Sequence, residues 1–461
     1  MLTPKFSCSQ TERSVKISIY VPSVRASDVE IHVDGTLFSL HINPYFLRLN
    51  FPKPVQEDDD SSAQYDPSSG FLTVILTKEV HGQEFEDLDL LSKLLAPRLD
   101  PRDESHPMIE VIDSKEDEVH KLVEDTEKLS LEREHHVFLE AAKNDWRLPQ
   151  HLSEVNSPRL ATTLQRRYGF LDMHSGYFRH VAHSDNEANE LGPDAETLGE
   201  NERRLKGEAC VEKKFDEDYY LADFVNDEEI RDLIRWRHPY SPDSSQSPEF
   251  TEDQKLMMLR LPRKEYIPTN AQTRALYLTL VTLLFSTAYD TRTTLADPTS
   301  ESAWTLSVLT PAFASLSPPS STASIQEALI PSYKRALAFP LYRAFVLCNR
   351  CRLDVADVLE SGRRAVAKVL LSIKGILDRH DVYYVYSKIW VDDFCVWVQS
   401  QASDQMLHAL GAEVRGVNIE KKTLMWDLDE LELAANETME RASDSDDEDE
   451  DEIENMTQAL L

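Results

Sequence analysis

Basic residues, glycine and cysteine are all scarce in this 461-residue chain, and each shortage narrows what it can be. Lys and Arg number 49 against 82 Asp and Glu, a formal net charge of −33 at pH 7. A chain so acidic repels nucleic acid and acidic lipid and favours basic partners, including proteins that themselves bind RNA or DNA. The 12 glycines form no GxGxxG, GxxxxGK(S/T) or GxSxG, so dinucleotide, P-loop and hydrolase chemistry lack their motifs. Five cysteines (Cys8, Cys210, Cys348, Cys351 and Cys395) are few and odd in number, which implies no disulfide framework and a reducing compartment. The N-terminus has no apolar signal-peptide core. The longest uncharged helical run, residues 275–289, has 15 residues, short of the roughly 20 that cross a bilayer. A soluble protein without membrane segment, cofactor or metal is expected.

Residues 1–80 read as β. Val15, Ile17, Ile19 and Val21 alternate with polar residues, as do Val29, Ile31 and Val33. Asp34-Gly35 then predicts a tight turn into Phe38, Leu40 and Ile42, because Gly accepts the positive φ such a turn needs. Tyr45, Leu47, Leu49 and Phe51 follow, then an acidic loop with Asp66-Pro67 and Gly70, then FLTVILT. The pattern predicts a small antiparallel sandwich. Residues 81–96 suggest a short helix or an extended segment with apolar anchors. Residues 98–164 read as a charged linker, with one helical piece around 119–142. Residues 184–206 are expected as a surface loop.

A helical domain is expected over 165–430, preceded by the sandwich and its trailing segment (1–97) and followed by a disordered acidic tail (431–461). Asp227 and Thr251 sit where they would cap helices, with acids in the following turns and Pro262 as a stop. Residues 297–324, rich in Ser, Thr and Pro, are expected as an inserted loop. Pro340 should break a helix. The region 336–398 carries the densest apolar and aromatic pattern and reads as the centre of the domain. Val366, Val369, Leu370, Ile373, Ile376 and Leu377 form one helical stripe, and Val382, Val385, Tyr386, Ile389, Trp390, Val396 and Trp397 repeat it. The tail contains nine acids between residues 444 and 454, with Ser443 and Ser445 in a context that acidophilic kinases favour.

Catalytic constellations are thin. Cys348 and Cys351 make a CxxC with no second pair nearby, so two small buried cysteines at helix spacing are expected in preference to half a zinc site. His174, His180 and His183 cluster, and His135 adjoins His136, without ligand spacing; surface or capping roles are expected. The block Tyr383, Tyr384, Tyr386, Trp390, Phe394, Trp397 exceeds what one buried helix face can hold. Tyr383, Tyr384, Asp392 and Asp393 are therefore expected to face a basic protein partner.

Beyond these patterns, the chain resembles a known family. Pro44-Tyr45-Phe46-Leu47-Arg48-Leu49, Ala63-Gln64-Tyr65-Asp66, Gly70-Phe71-Leu72-Thr73-Val74, Gly82-Gln83-Glu84-Phe85, Leu88-Asp89-Leu90-Leu91 and Leu94-Leu95-Ala96-Pro97 look like the CS domain and trailing segment of Shq proteins. Tyr168-Gly169-Phe170, Leu261-Pro262-Arg263-Lys264-Glu265-Tyr266, Pro340-Leu341-Tyr342-Arg343, Asp354-Val355-Ala356-Asp357-Val358-Leu359, Gly362-Arg363-Arg364-Ala365, His380-Asp381-Val382-Tyr383-Tyr384, Trp390 and Asp392-Asp393-Phe394-Cys395-Val396-Trp397 are similar to their helical domain. The resemblance implies a multidomain fold: an all-β CS-type (alpha-crystallin-like) sandwich, then an all-α Shq-specific domain. It implies a non-enzymatic assembly factor of H/ACA ribonucleoproteins, monomeric, acting in nucleoplasm and cytoplasm. Its partner would be the dyskerin-type pseudouridine synthase, held on its RNA-binding PUA surface, with no direct nucleic-acid binding. Contact with the ninety-kilodalton heat-shock chaperone through the CS domain is the alternative. The family-matched polar and aromatic positions Asp357, Arg363, Arg364, Tyr383, Tyr384, Asp392 and Asp393 are the candidate partner-binding residues.

Overall fold

The computed structural model describes residues 2–25, 29–97, 166–178, 191–241, 249–339 and 341–437. The 119–142 helical piece, the 98–164 linker, the histidines at 135, 136, 180 and 183, Pro340, and Ser443 and Ser445 lie outside these residues. The described residues fall within one compact unit that takes in both Met1–Pro97 and Arg166–Leu461.

Eight antiparallel strands build the sandwich. They are β1 (Lys5–Gln10), β2 (Ser14–Tyr20), β3 (Glu30–Asp34), β4 (Leu37–Ile42), β5 (Tyr45–Asn50), β6 (Val55–Gln56), β7 (Ser62–Asp66) and β8 (Phe71–Lys78). One sheet runs β1-β2-β8-β6 with β7 also on β8, and the other runs β3-β4-β5. The turn at Asp34-Gly35 forms as its residues dictate: Asp34 pairs with Leu37, and Gly35 holds a φ of 53°. The alternating residues Val15, Ile17, Ile19, Phe38, Leu40, Leu47, Leu49, Leu72, Val74 and Leu76 are buried between the sheets. The expected acidic loop is corrected at residues 62–66, which form β7, an edge strand with no fully buried residue. Its register comes from β8, Tyr65 lying opposite Leu72, so it needs no apolar alternation of its own.

Behind the sandwich, Phe85, Leu88, Leu90, Leu91, Leu94 and Leu95 are buried, with a short helix α1 at Leu91–Leu95. Gln10 clamps this segment from β1: its side-chain amide donates to the Phe85 carbonyl at 2.9 Å and accepts from the Phe85 N–H at 2.8 Å. Asn50 donates to the Ala96 carbonyl at 2.7 Å.

The helical region comprises α2 (Glu200–Lys214), α3 (Glu217–Val225), α4 (Glu228–Arg235), α5 (Glu252–Arg260), α6 (Asn270–Thr293), α7 (Ser302–Leu309), α8 (Pro311–Ser315), α9 (Ile325–Ala338), α10 (Phe345–Glu360), α11 (Arg363–Leu377), α12 (Tyr384–Tyr386), α13 (Asp392–Ser400) and α14 (Asp404–Gly416). The innermost of them is α6, which contains the uncharged run 275–289. It opens on a capping box between Thr269 and Gln272, and α4, α7, α8, α9, α10 and α11 all pack on it. Its hydroxyls are buried at little cost because they bond to their own helix, Thr279 to the Ala275 carbonyl and Thr287 to that of Leu283, both at 2.8 Å. Leu280, Val281, Leu283 and Phe285 are fully buried, each worth about 1.5–3 kcal/mol of transfer free energy. The 336–398 region packs around this helix as a shell.

Four other expectations are corrected. Residues 297–324 contain α7 and α8, with Leu306, Leu309 and Phe313 fully buried; their Ser and Thr point hydroxyls at backbone carbonyls, as Ser307 does to Ala303 at 2.7 Å. Residues 192–206 are also ordered: a 3₁₀ turn at Gly192–Glu196 leads into α2, and the Arg203 guanidinium is buried against the Ser315 carbonyl. Asp227 occupies the N-cap of α4, yet its carboxylate pairs with Arg231 at 2.7 Å instead of capping. The tail begins later than residue 431, since residues 428–437 are helical, held by buried Leu428 and by Glu432, which accepts from the Tyr220 hydroxyl at 2.6 Å. Thr251 does cap α5, through a capping box with Gln254. Cys348 and Cys351 are fully buried on α10, where burial pushes both thiols well up.

Candidate partner-binding surface

Tyr168, Gly169 and Phe170, the stretch 264–266 and the pair Asp392-Asp393 come from three distant parts of the chain and meet at one place. Asp393, fully buried, accepts from Tyr266 (2.6 Å) and Lys264 (2.9 Å) on Oδ1 and pairs with His174 (2.8 Å) on Oδ2. Burial alone would raise this carboxyl; the three partners outweigh it and hold it below the usual range. Phe170 sets its ring edge-on to Tyr266 and Phe394, each 5.0 Å away. Gly169, at φ 81°, lets this segment press against the turn ahead of α13: a Cβ there would lie 2.7 Å from the Ile389 carbonyl oxygen. His174 is thus a buried side-chain partner of Asp393, which corrects the expected surface or capping role.

The two aspartates follow the turn between α12 and α13. Residues Ser387–Val391 form a π-helical turn, one residue wider than an α-turn. It lies within the stripe expected over 382–397, whose Val385, Tyr386, Ile389, Trp390, Val396 and Trp397 are all buried, and Asp393 is buried with them. Asp392 stays half-buried between Lys374 and Lys388, 3.1 Å from the latter. Tyr383 is buried and rests on His380, ring centroids 4.4 Å apart. Tyr384 is 42% exposed.

Asp357, also buried, receives Arg415 at 2.7 Å, which chelates Glu360 as well. Arg363 and Arg364 begin α11 and reach back to the segment trailing the sandwich. Arg363 pairs with Asp87 at 2.8 Å and with Asp404 at 3.1 Å; Arg364 pairs with Asp89 at 2.9 Å and Asp87 at 3.4 Å. The Asp87 carboxyl, which burial would raise, is held down by its bond from Lys93 and by the charges of Arg363 and Arg364. Ser92 donates to the Met258 carbonyl at 3.4 Å across the same boundary, and α1 packs on α5 and α13.

Sequence reasoning placed all seven candidates on a partner surface. The expectation is corrected for Tyr383 and Asp393, which are buried, and for Asp357, Asp392 and Arg363, whose charges are matched within the fold. Tyr384 and Arg364 remain exposed. Asp378, Arg379 and Asp381, all exposed, precede Tyr384 in the chain, and Asp378 pairs with Lys374 at 2.8 Å. The residues that sequence reasoning missed are the partners: Asp87, Asp404, Lys264, Tyr266 and Arg415. Two of them, Lys264 and Tyr266, lie within the family-like stretch 261–266, but which charge meets which is a property of the fold. Among the described residues no group of His, Cys, Asp or Glu could hold a metal ion, and no helix is long and apolar enough to cross a membrane.

The architecture is an antiparallel β-sandwich bonded to an all-helical body. A model of the SHQ1-like CS domain matches residues 3–95, and one of the SHQ1 protein, Shq1 domain, matches residues 240–428. The chain is 33% identical to Protein shq1 of Schizosaccharomyces pombe over 95% of its own length and 97% of the other. It is 32% identical to the Protein SHQ1 homolog of Xenopus tropicalis, covering 94% and 70% of the two chains, and 30% identical to that of Mus musculus, covering 94% and 75%. The chain belongs to the SHQ1 family.

Proposed function

We propose that this protein is an assembly chaperone of box H/ACA ribonucleoproteins that holds the dyskerin-type pseudouridine synthase on its RNA-binding PUA surface until the particle forms. The observation that carries this reading is family membership along 95% of the chain. Its charge supports the same reading. RNA-binding surfaces are basic and their affinity is dominated by charge, so a protein at −33 offers a substitute for phosphate without being a nucleic acid. Tyr384, 42% exposed and three residues after the exposed Asp381, offers such a surface an aromatic contact.

The test is binding of the whole chain to the synthase, with and without competing guide RNA. The whole chain is used because α1 is buried against α5 and α13, so the helical region alone would expose that face. Tight binding that excludes RNA is the expected result. Simultaneous binding of RNA would keep the partner and remove the shielding mechanism, and no binding would overturn the reading.

One observation favours a second role for the sandwich. Tyr20 and Phe71 lie opposite each other on β2 and β8, their rings 5.3 Å apart and both exposed. An exposed aromatic pair on a sheet suits a protein contact, consistent with a CS-type adaptor for the ninety-kilodalton heat-shock chaperone. Loss of chaperone binding, with synthase binding intact, in a Tyr20→Ser, Phe71→Ser variant would establish it; no chaperone binding by the unaltered chain would remove it.

A further inference from the structure

A groove of about 560 Å³ opens in the helical region between α2, α8, α9 and the loop at 317–320. Leu205, Ala209, Val211, Ala312, Pro319 and Met425 line it. Leu205 is 65% exposed and Met425 87% exposed. Large bare apolar side chains gathered at a groove mark a surface that something covers, and the volume falls in the range that holds a ligand or a few side chains. The charged residues on its walls balance: Arg204, Lys334 and Arg335 against Glu208, Glu212 and Glu327. On a chain of net charge −33 this is a locally neutral place.

We infer that this groove receives the chain's own C-terminal residues 453–461. Those residues lie outside the described part, and their sequence, IENMTQALL, sets Ile453, Met456 and Leu460 at i, i+3 and i+7, the spacing of one helical face. The stretch just ahead of them, 444–452, holds eight acids that the rest of the protein repels. An acid-flanked apolar end has few places to bind on such a surface, and a neutral apolar groove is one. The tether is short. Met425, on the groove's rim, precedes the described helix at 428–437, which adds about 15 Å at 1.5 Å per residue. From residue 437 to 453 the chain can span up to roughly 55 Å. A tethered segment of this length has an effective concentration of order millimolar, so even a weak apolar contact is occupied. Docking would cover Leu205 and Met425 in the free protein. The inference stands independently of the proposed function.

The experiment is hydrogen exchange on the full chain, read by mass spectrometry, beside a free synthetic peptide of residues 450–461. In the unaltered protein, amides of 453–461 are expected to exchange at least tenfold more slowly than in the free peptide. Met456→Asp with Leu460→Asp should abolish that protection. Ala209→Arg, on an exposed position of α2, should abolish it from the groove side while leaving α2 folded. Exchange of 453–461 at the free-peptide rate in the unaltered chain would overturn the inference. So would protection that survives Ala209→Arg, because the segment would then dock elsewhere. Protection that grows with protein concentration would also overturn it, in favour of a second copy of the chain.

Discussion

Arg363 and Asp87 stand 276 positions apart in sequence and 2.8 Å apart in space. Their bond, with Arg364–Asp89 beside it, fastens the segment behind the sandwich to the first turn of α11. Asp87 retains only 7% of its side-chain exposure and Arg363 13%, so this pair is shielded from solvent where most surface pairs are not.

Asp87→Ala should therefore cost stability. Removing one member of a buried pair costs about 3–5 kcal/mol; Asp404 still faces Arg363, so a loss of about 2–3 kcal/mol is expected. Asp89→Ala, at the more exposed Arg364 pair, should cost under about 1 kcal/mol. Chemical denaturation of both variants measures the difference, and equal losses would mean that the joint is not specially held by Arg363.

Asp393→Ala leaves Lys264, Tyr266 and His174 without their shared acceptor. A loss of about 3–5 kcal/mol is expected. Tyr384→Ala, by contrast, should leave the midpoint of unfolding unchanged and weaken synthase binding about tenfold, or roughly 1.4 kcal/mol. Measuring stability and binding on both variants separates an internal hub from a contact residue. A Tyr384 variant that binds normally would move the contact elsewhere on the surface.

Gly169→Ala would require φ 81° from a residue with a side chain and would set its Cβ 2.7 Å from the Ile389 carbonyl oxygen. Strain of this sort costs about 1–3 kcal/mol from the backbone alone, and the close approach adds to it. Calorimetry should show a lowered melting temperature, with loss of the His174–Asp393 pairing visible as a shifted imidazole resonance.

Asp290, buried on α6 with one carboxylate oxygen unpartnered, has its pKa pushed up from 3.8 to about 6 by burial. Between about pH 4 and 6 the folded form keeps a proton that the unfolded chain has released, so this group destabilises the fold increasingly as pH rises to about 6 and fully above it. Asp290→Asn should be more stable than the unaltered protein at pH 7, by about 1–3 kcal/mol. That advantage should shrink towards zero as pH falls to 4. A constant difference across pH would show that Asp290 is not the titrating group.

Much of the sandwich was legible in the sequence because a strand's period of two and a glycine-bearing turn are local properties. β2 to β5 and β8 follow from Val15, Ile17 and Ile19, from Asp34-Gly35, and from FLTVILT without reference to the rest of the chain. The cap at Thr251 and the stripe on α11 are legible for the same reason. β7 and α8 were not, since a polar edge strand and a short Ser/Ala-rich helix draw their order from neighbours.

What the sequence determined by itself is the class of structure, the extreme acidity and the family, all of which rest on residue types and their short-range spacing. Tertiary structure alone decided which charges are spent inside the fold. Asp392 and Asp393 are adjacent and chemically identical, yet the packing puts one in the core and leaves the other between two lysines. Arg363 finds Asp87, not one of the many other acids the chain offers. In a chain with 82 acids composition cannot assign partners, because Coulomb attraction depends on distance and dielectric, and both are fixed only when the helices have packed.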